Sequence, residues 1–343
     1  MRYSSIGVLG AGSWGTALAL ELDGKGHSVS LWMRRKKQLE EILHTGENSR
    51  YLPEINIADS IVLTNDIAKG IRGKKIILLA VPTQRVREII NKLRPYISPE
   101  QIILNAAKGI EANRHLRVSQ IVEEELPGQP YAIISGPSHA EEVARDIPTT
   151  VVVASKDRKI AEYVQDVFNT ASFRVYTNPD VIGVELGGAL KNVIAFGAGV
   201  TDGLGYGDNA RAALMTRGIS EIARLGKALG AKEATFGGLS GIGDLIVTCT
   251  SMHSRNRRAG ILIGQGKSLE DTLEEVGMVV EGITTTEVVY QLAQKHQIEM
   301  PITKEIYNVL YNGTNPSDAV INLMTRTTKN EIEEIVDMDE INW

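Results

Sequence analysis

The chain has almost no cysteine. Of 343 residues one is Cys249, which excludes an internal disulfide and a cysteine-based metal cluster and fits a reducing compartment. An excess of positive charge is also missing: 37 Lys and Arg stand against 42 Asp and Glu, for a net charge of −5. Wholesale attraction to nucleic acid or to an anionic membrane is therefore not expected, and any anionic ligand must be held by local basic groups. Long apolar runs are absent too, since the most apolar stretch, residues 193–200, is far too short to span a bilayer. Met1 leads straight into a strand-like run and leaves no room for a signal peptide. The expectation is a cytoplasmic protein with no membrane insertion, no nucleic-acid partner and no metal.

What the chain does have is an ordinary globular balance, 43% hydrophobic and 23% charged. Its length suits about two domains, each with a core of its own. Residues 5–9 read as a short buried strand, followed at once by Gly10-Ala11-Gly12-Ser13-Trp14-Gly15. A helical pattern through Ala17, Leu18, Leu20 and Leu22 comes next, then a second strand over 27–33. A Gly-x-Gly-x-x-Gly run between a strand and a helix is a dinucleotide-binding signature. Its first glycine permits the tight turn, its second lets backbone approach a pyrophosphate, and its third allows close helix–strand packing.

One acid is missing where such sites often have it. The end of the second strand, where a carboxylate binds the ribose 2′-hydroxyl of NAD, reads Arg34-Arg35-Lys36-Lys37, with no acid before Glu40. A guanidinium suits a 2′-phosphate, so NADP(H) is favoured, with NAD(H) still possible. Read otherwise, the same residues are a solvated basic start to a helix.

The alternation continues with a strand over 74–81 stopped by Pro82, a helix over 83–94, and a strand from 101 that ends on Lys108. Ligands of open α/β sheets sit at the carboxyl ends of strands, which puts Lys108 near one. The strand at 131–135 runs into Gly136-Pro137-Ser138-His139-Ala140, either an anion-binding turn or a capped helix start. Strands at 149–154 and 172–176 complete the sheet. Past about residue 178 strand patterns fade, and helical patterns over 183–199, 210–229 and 285–296 take over. The expected organisation is an α/β dinucleotide-binding domain, residues 1–180, followed by an all-α domain, residues 181–343. The acidic tail from Glu331 reads as a solvated or frayed end.

Between Glu185 and Asp202 the only charge is Lys191, set among small and apolar residues. Small side chains let other backbones approach, so a packed central helix is expected. The lysine either snorkels from it to water or is buried with a partner, because burial disfavours an unpaired ammonium. Asp244 closes a glycine-rich stretch and shares a helix face with Thr248. Ser254-Arg255-Asn256 then concentrates donors suited to a phosphate, with Arg255 able to bind it through two parallel hydrogen bonds. Separately these are an N-terminal helix acid and a basic surface loop; beside a dinucleotide site they point to a phosphorylated substrate.

In order, Gly10–Gly15, Ala106-Ala107-Lys108-Gly109, Ser135–Ala140, Glu185–Asn192, Gly238–Asp244, Ser254–Asn256 and Val280-Glu281-Gly282 closely resemble the bacterial-type NAD(P)-dependent glycerol-3-phosphate dehydrogenases over essentially the whole chain. The resemblance implies a Rossmann-type first domain and a second domain like the C-terminal part of 6-phosphogluconate dehydrogenase. It implies reversible reduction of dihydroxyacetone phosphate to sn-glycerol 3-phosphate for phospholipid synthesis, by a homodimer. Carried over by motif, Ser13, Trp14, Arg34, Arg35, Ala140, Val279 and Glu281 would contact the dinucleotide together with Gly10, Gly12 and Gly15. Lys108, Gly136, Ser138, Asp244, Ser254, Arg255 and Asn256 would surround the substrate, with Lys108 and Arg255 reaching the cofactor as well. Lys191 would bind substrate and transfer the proton, with Asp244 holding its ammonium in place and Asn192 and Thr248 in support. Two competing readings stay open: a related NADP-linked hydroxy-acid dehydrogenase and a non-catalytic NADPH-binding sensor.

Overall fold

The computed structural model describes residues 3–328, so the acidic tail from Glu331 lies outside the described residues. Two compact units divide the chain, Met1–Glu185 and Leu186–Trp343. The first holds strands β1 (Ser5–Leu9), β2 (Ser28–Trp32), β3 (Glu47–Asn48), β4 (Leu52–Asn56) and β5 (Val62–Thr64). It continues with β6 (Ile76–Leu79), β7 (Ile102–Asn105), β8 (Tyr131–Ser135), β9 (Thr149–Ala154) and β10 (Phe173–Asn178). Its helices are α1 (Ser13–Gly24), α2 (Lys36–Thr45), α3 (Ile67–Ile71), α4 (Val86–Leu93), α5 (Val118–Glu125), α6 (Ala140–Val143) and α7 (Arg158–Phe168).

Eight strands form one sheet in the order β10-β9-β8-β7-β6-β1-β2-β5. Every pairing is parallel except β8 with β9, which is antiparallel. A parallel sheet covered on both faces needs continuous apolar strands, and Ile76–Leu79 is buried at every position. Alternate residues feed two cores. Ile6 and Val8 pack with Leu18 and Leu22 of α1 and Phe168 of α7, while Leu9, Ile77 and Leu79 pack with Ile89 and Ile90 of α4. Helix α4 buries Val86, Ile89, Ile90 and Leu93, one face at helical spacing.

Two sequence expectations need correction here. The strand expected to end on Lys108 ends at Asn105, because the Asn105 side chain accepts a hydrogen bond from Ala107 N (2.9 Å) and donates one to Ala107 O (3.1 Å). That side-chain turn diverts the backbone from the ladder. The helix expected over 83–94 opens as a 3₁₀ turn, Thr83–Arg85, and becomes α-helical only at Val86. Strands β3, β4 and β5 were not foreseen; they are short, and β4 is mostly exposed.

Helix α8 (Val181–Gly203) leads into the second unit, whose described residues contain no strand. There follow α9 (Asp208–Ala228), α10 (Asp244–Thr250), α11 (Arg255–Gly264), α12 (Leu269–Val276), α13 (Glu281–His296), α14 (Pro301–Tyr311) and α15 (Pro316–Met324). By length and composition α8, at 23 residues, could cross a membrane, unlike the short apolar run read from the sequence; 94% of its most apolar window is instead buried inside the protein.

The glycines of α8 have assigned neighbours. A Cβ on Gly199 would lie 2.0 Å from Arg257 O, and one on Gly203 would lie 2.3 Å from Ile261 O. Reciprocally, a Cβ on Gly260 would meet Phe196 O at 2.0 Å and one on Gly264 would meet Val200 O at 2.5 Å. Two glycines one turn apart on each helix thus let α8 and α11 touch backbone to backbone. Gly187 does the same for the turn before α10, where a Cβ would stand 2.6 Å from Ser240 O. The close approach of these elements to the lysine-bearing helix is set by missing side chains.

Candidate active site

The glycine turn follows β1, which lies between β6 and β2 where the strand order reverses. Open α/β sheets bind ligands at the carboxyl ends of such strands. Gly10 has φ of 119°, and a Cβ on it would stand 2.6 Å from Ala80 O in the loop after β6. A Cβ on Gly15 would meet Gly10 O at 1.8 Å. The fold itself demands these two glycines. Gly12 differs, because a Cβ there would meet nothing within 4 Å. No side chain caps α1 at Gly12. Open space beside the N–H groups that begin a helix fits a diphosphate.

Around this turn the structure adds residues that the sequence did not flag. Ser13 Oγ donates to Tyr51 O (2.6 Å). Gln38 Nε2 and Asn48 Nδ2 both donate to Ala11 O, at 2.7 and 3.1 Å. These bonds pin α2 and the β3–β4 hairpin to the glycine turn. They rest on polar side chains that carry no periodic pattern. Arg34 is exposed at the end of β2. Arg35 Nη2 donates to Tyr51 Oη (3.0 Å) and to Gln38 Oε1 (3.4 Å). Trp14 packs against the core of this unit, and its buried indole N–H has no hydrogen-bond partner among the described residues.

Lys108 and Ser138 converge on Gly136: Lys108 Nζ and Ser138 Oγ each donate to its carbonyl oxygen at 2.9 Å. Gly136 has φ of 133°, and a Cβ would stand 3.0 Å from Val151 Cα. Ala140 opens α6, a helix of only 4 residues.

In the second unit Lys191 does not snorkel. It is 5% exposed, and Nζ donates to Asp244 Oδ1 (2.5 Å) and to Thr248 Oγ1 (2.7 Å). Thr248 Oγ1 gives its own proton to Asp244 O (2.6 Å), so its lone pairs face the lysine. Asp244 is 1% exposed and opens α10, with Thr248 one turn on, as the spacing predicted. A π-helical turn, Leu239–Gly243, delivers the acid, a backbone irregularity often found at functional sites. A buried ion pair needs extra hydrogen bonds to offset its desolvation, and the threonine supplies one.

Ser254, Arg255 and Asn256 stand together at the start of α11. Ser254 caps the helix by accepting from Arg257 N (3.2 Å). Asn256 Nδ2 donates to Asn192 Oδ1 (2.9 Å), and Asn256 Oδ1 accepts from Gly282 N (2.8 Å). Asn192 and Asn256 therefore join α8, α11 and the start of α13, where Glu281 is the first residue. Arg255 Nη1 donates to Val279 O (3.0 Å), a contact spacing could not reveal. Arg257, also unforeseen, places Nε and Nη2 each 2.8 Å from Asp202 Oδ2, bracing the same turn. Among the described residues no group of three or more His, Cys, Asp or Glu side chains is arranged to hold a metal.

The arrangement matches known proteins at three levels. Residues 5–161 match the family described as NAD-dependent glycerol-3-phosphate dehydrogenase N-terminus, and residues 180–321 match its C-terminus. Glycerol-3-phosphate dehydrogenase (NAD(P)+) of Thermoanaerobacter sp. (strain X514) is 56% identical over 330 residues, covering 96% of this chain and 99% of its own. The enzyme of the same name from Bacillus velezensis is 52% identical over 338 residues, covering 98% of each chain. The crystal structure of glycerol-3-phosphate dehydrogenase from Coxiella burnetii superposes with a TM-score of 0.91 at 40% identity, covering 94% of this chain and 99% of that one. D-mandelate dehydrogenase shares the fold alone, with a TM-score of 0.62 at 13% identity, covering 93% of this chain and 100% of that one. The chain belongs to the NAD(P)-dependent glycerol-3-phosphate dehydrogenase family of oxidoreductases.

Proposed function

We propose that this protein reduces dihydroxyacetone phosphate to sn-glycerol 3-phosphate with NADPH, reversibly, supplying glycerol 3-phosphate for phospholipid synthesis in the cytoplasm. The observation that carries the reading is the buried Lys191 ammonium, held by Asp244 and Thr248 in a chain of this family. We assign residues 1–180 to dinucleotide binding and residues 181–343 to a helical substrate domain, and we propose a homodimer.

When bound, NADPH supplies a hydride to C2 of the ketone. The ketone oxygen gains negative charge and then needs a proton. Lys191 meets both needs, donating a hydrogen bond to the developing alkoxide and then the proton itself. In the oxidation direction the neutral amine takes the proton of the C2 hydroxyl. Asp244 and Thr248 fix where Nζ points, which matters because a misplaced donor stabilises the alkoxide less. Lys108, Gly136, Ser138, Ser254, Arg255 and Asn256 bind the substrate, the basic side chains supplying the local positive charge that a chain of net charge −5 otherwise lacks. Gly10, Gly12, Ser13, Trp14, Gly15, Arg34, Arg35 and Ala140 hold the dinucleotide, with Lys108, Arg255, Val279 and Glu281. The preference for NADPH rests on Arg34 and Arg35 standing where an acid would select NAD.

The test is NADPH absorbance in the presence of dihydroxyacetone phosphate. Oxidation that depends on this substrate and not on 2-keto acids is expected. Turnover of 2-keto acids alone would turn the reading to a hydroxy-acid dehydrogenase, and tight NADPH binding without any turnover would turn it to a sensor. Exchanging Arg34 for Asp should erode the NADPH preference; an unchanged NADPH/NADH ratio removes Arg34 from the account.

A further inference from the structure

Tyr51 ties together two parts of the dinucleotide-binding unit. Its carbonyl oxygen accepts from Ser13 at the start of α1, and its hydroxyl accepts from Arg35 at the end of β2. The glycine turn takes the diphosphate and the end of β2 takes the adenosine ribose, so Tyr51 borders the space of the adenosine half. Arg50 precedes it on the β3–β4 hairpin and is exposed. The guanidinium carbons of Arg50 and Arg35 each lie 5.7 Å from the centre of the Tyr51 ring.

The charges here are unbalanced. Lys36 and Lys37, on the same stretch, pair with Glu40 and Glu41 at 3.3 and 3.9 Å. Among the described residues no carboxylate forms an ion pair with Arg34, Arg35 or Arg50, although the chain carries more acids than bases. Guanidiniums gathered near one ring repel each other, and the ring's negative face offsets only part of that repulsion. A monoester phosphate, with a charge of about −2 and three acceptor oxygens, neutralises such a cluster. We infer that Arg50 is a specificity-determining residue for NADPH, reaching the 2′-phosphate from the hairpin while Arg34 and Arg35 reach it from β2. The inference rests on the reading that the end of β2 receives a 2′-phosphate.

Michaelis constants for NADPH and NADH test it in the wild type, Arg50→Ala and Arg34→Ala, with 2′,5′-ADP and 5′-ADP as binding probes. Arg50→Ala should raise the NADPH constant and weaken 2′,5′-ADP by roughly tenfold, the scale of one charge-assisted hydrogen bond, with NADH and 5′-ADP within about twofold of wild type. A wild type that uses NADH as well as NADPH sinks the 2′-phosphate reading and this proposal with it. A wild type that prefers NADPH, loses the preference in Arg34→Ala and keeps it in Arg50→Ala sinks this proposal alone. Equal weakening of both cofactors by Arg50→Ala also overturns it, because the residue would then hold something other than the 2′-phosphate.

Discussion

At Lys191 the sequence shows a lysine among apolar residues, and that stretch alone favours a side chain that snorkels to water. What decides its role is a partner 53 positions away, Asp244; the resemblance offered this carboxylate to hold the ammonium, whereas composition alone named it only as an acid. Removing that carboxylate tests the pairing. Asp244→Asn should lower kcat for ketone reduction by roughly 10²–10³, comparable to losing a well-placed acid–base or oxyanion group. The alkaline limb of the pH–rate profile should also move to lower pH, because the ammonium loses the negative charge beside it. A profile unchanged in position would show that Asp244 only packs. Cys249 gives a second expectation at this scale. Burial pushes its thiol up to about 12, with the Lys191 ammonium pulling the other way, so it stays protonated at neutral pH. Native protein should resist iodoacetamide and react only once unfolded in urea, as read by mass spectrometry.

Among the elements, the β-α alternation was legible because buried parallel strands are apolar runs bounded by turn residues. The strand at Tyr131–Ser135 and that at Thr149–Ala154 appear with the limits their composition predicts. Illegible elements had no such pattern. The β3–β4 hairpin is short, with β4 mostly exposed, and its use is polar: Asn48 and Tyr51 fasten it to the glycine turn through hydrogen bonds. The small residues of α8 announced close packing without naming the neighbour, which is α11 at Gly199 and Gly203. Gly260→Ala follows from this contact. The new methyl would overlap Phe196 O, so α8 and α11 must separate, at a cost of about 1–3 kcal/mol or more in urea unfolding. The substrate constant should rise as well, since Arg255 begins α11. Wild-type stability in that variant would show that the crossing can relax.

For the molecule as a whole, one buried carboxyl makes stability depend on pH. Glu221 accepts from Ile302 N (2.6 Å) and Thr303 N (3.2 Å) at the start of α14, yet burial outweighs these bonds and raises its pKa from 4.5 to about 7. The unfolded chain releases this proton near 4.5, and the folded chain keeps it until about 7. The group's contribution is therefore fully present below pH 4.5 and is lost as pH rises towards 7, by about 3 kcal/mol. The urea midpoint of Glu221→Gln should vary less between pH 5 and 7 than that of the wild type; equal slopes would contradict this. At the same scale, the change from strand to helical patterns pointed to a sheet unit followed by a helical one and the order of motifs to the family, while hydrogen bonds such as Arg255 to Val279 emerged only on folding. The most direct measurement is NADPH oxidation with dihydroxyacetone phosphate by wild type and Lys191→Ala, alongside NADPH binding by fluorescence. Rapid turnover by the wild type, essentially none by the variant, and nearly equal NADPH affinity in both are expected. Normal turnover by Lys191→Ala would contradict the assignment of Lys191 as proton donor.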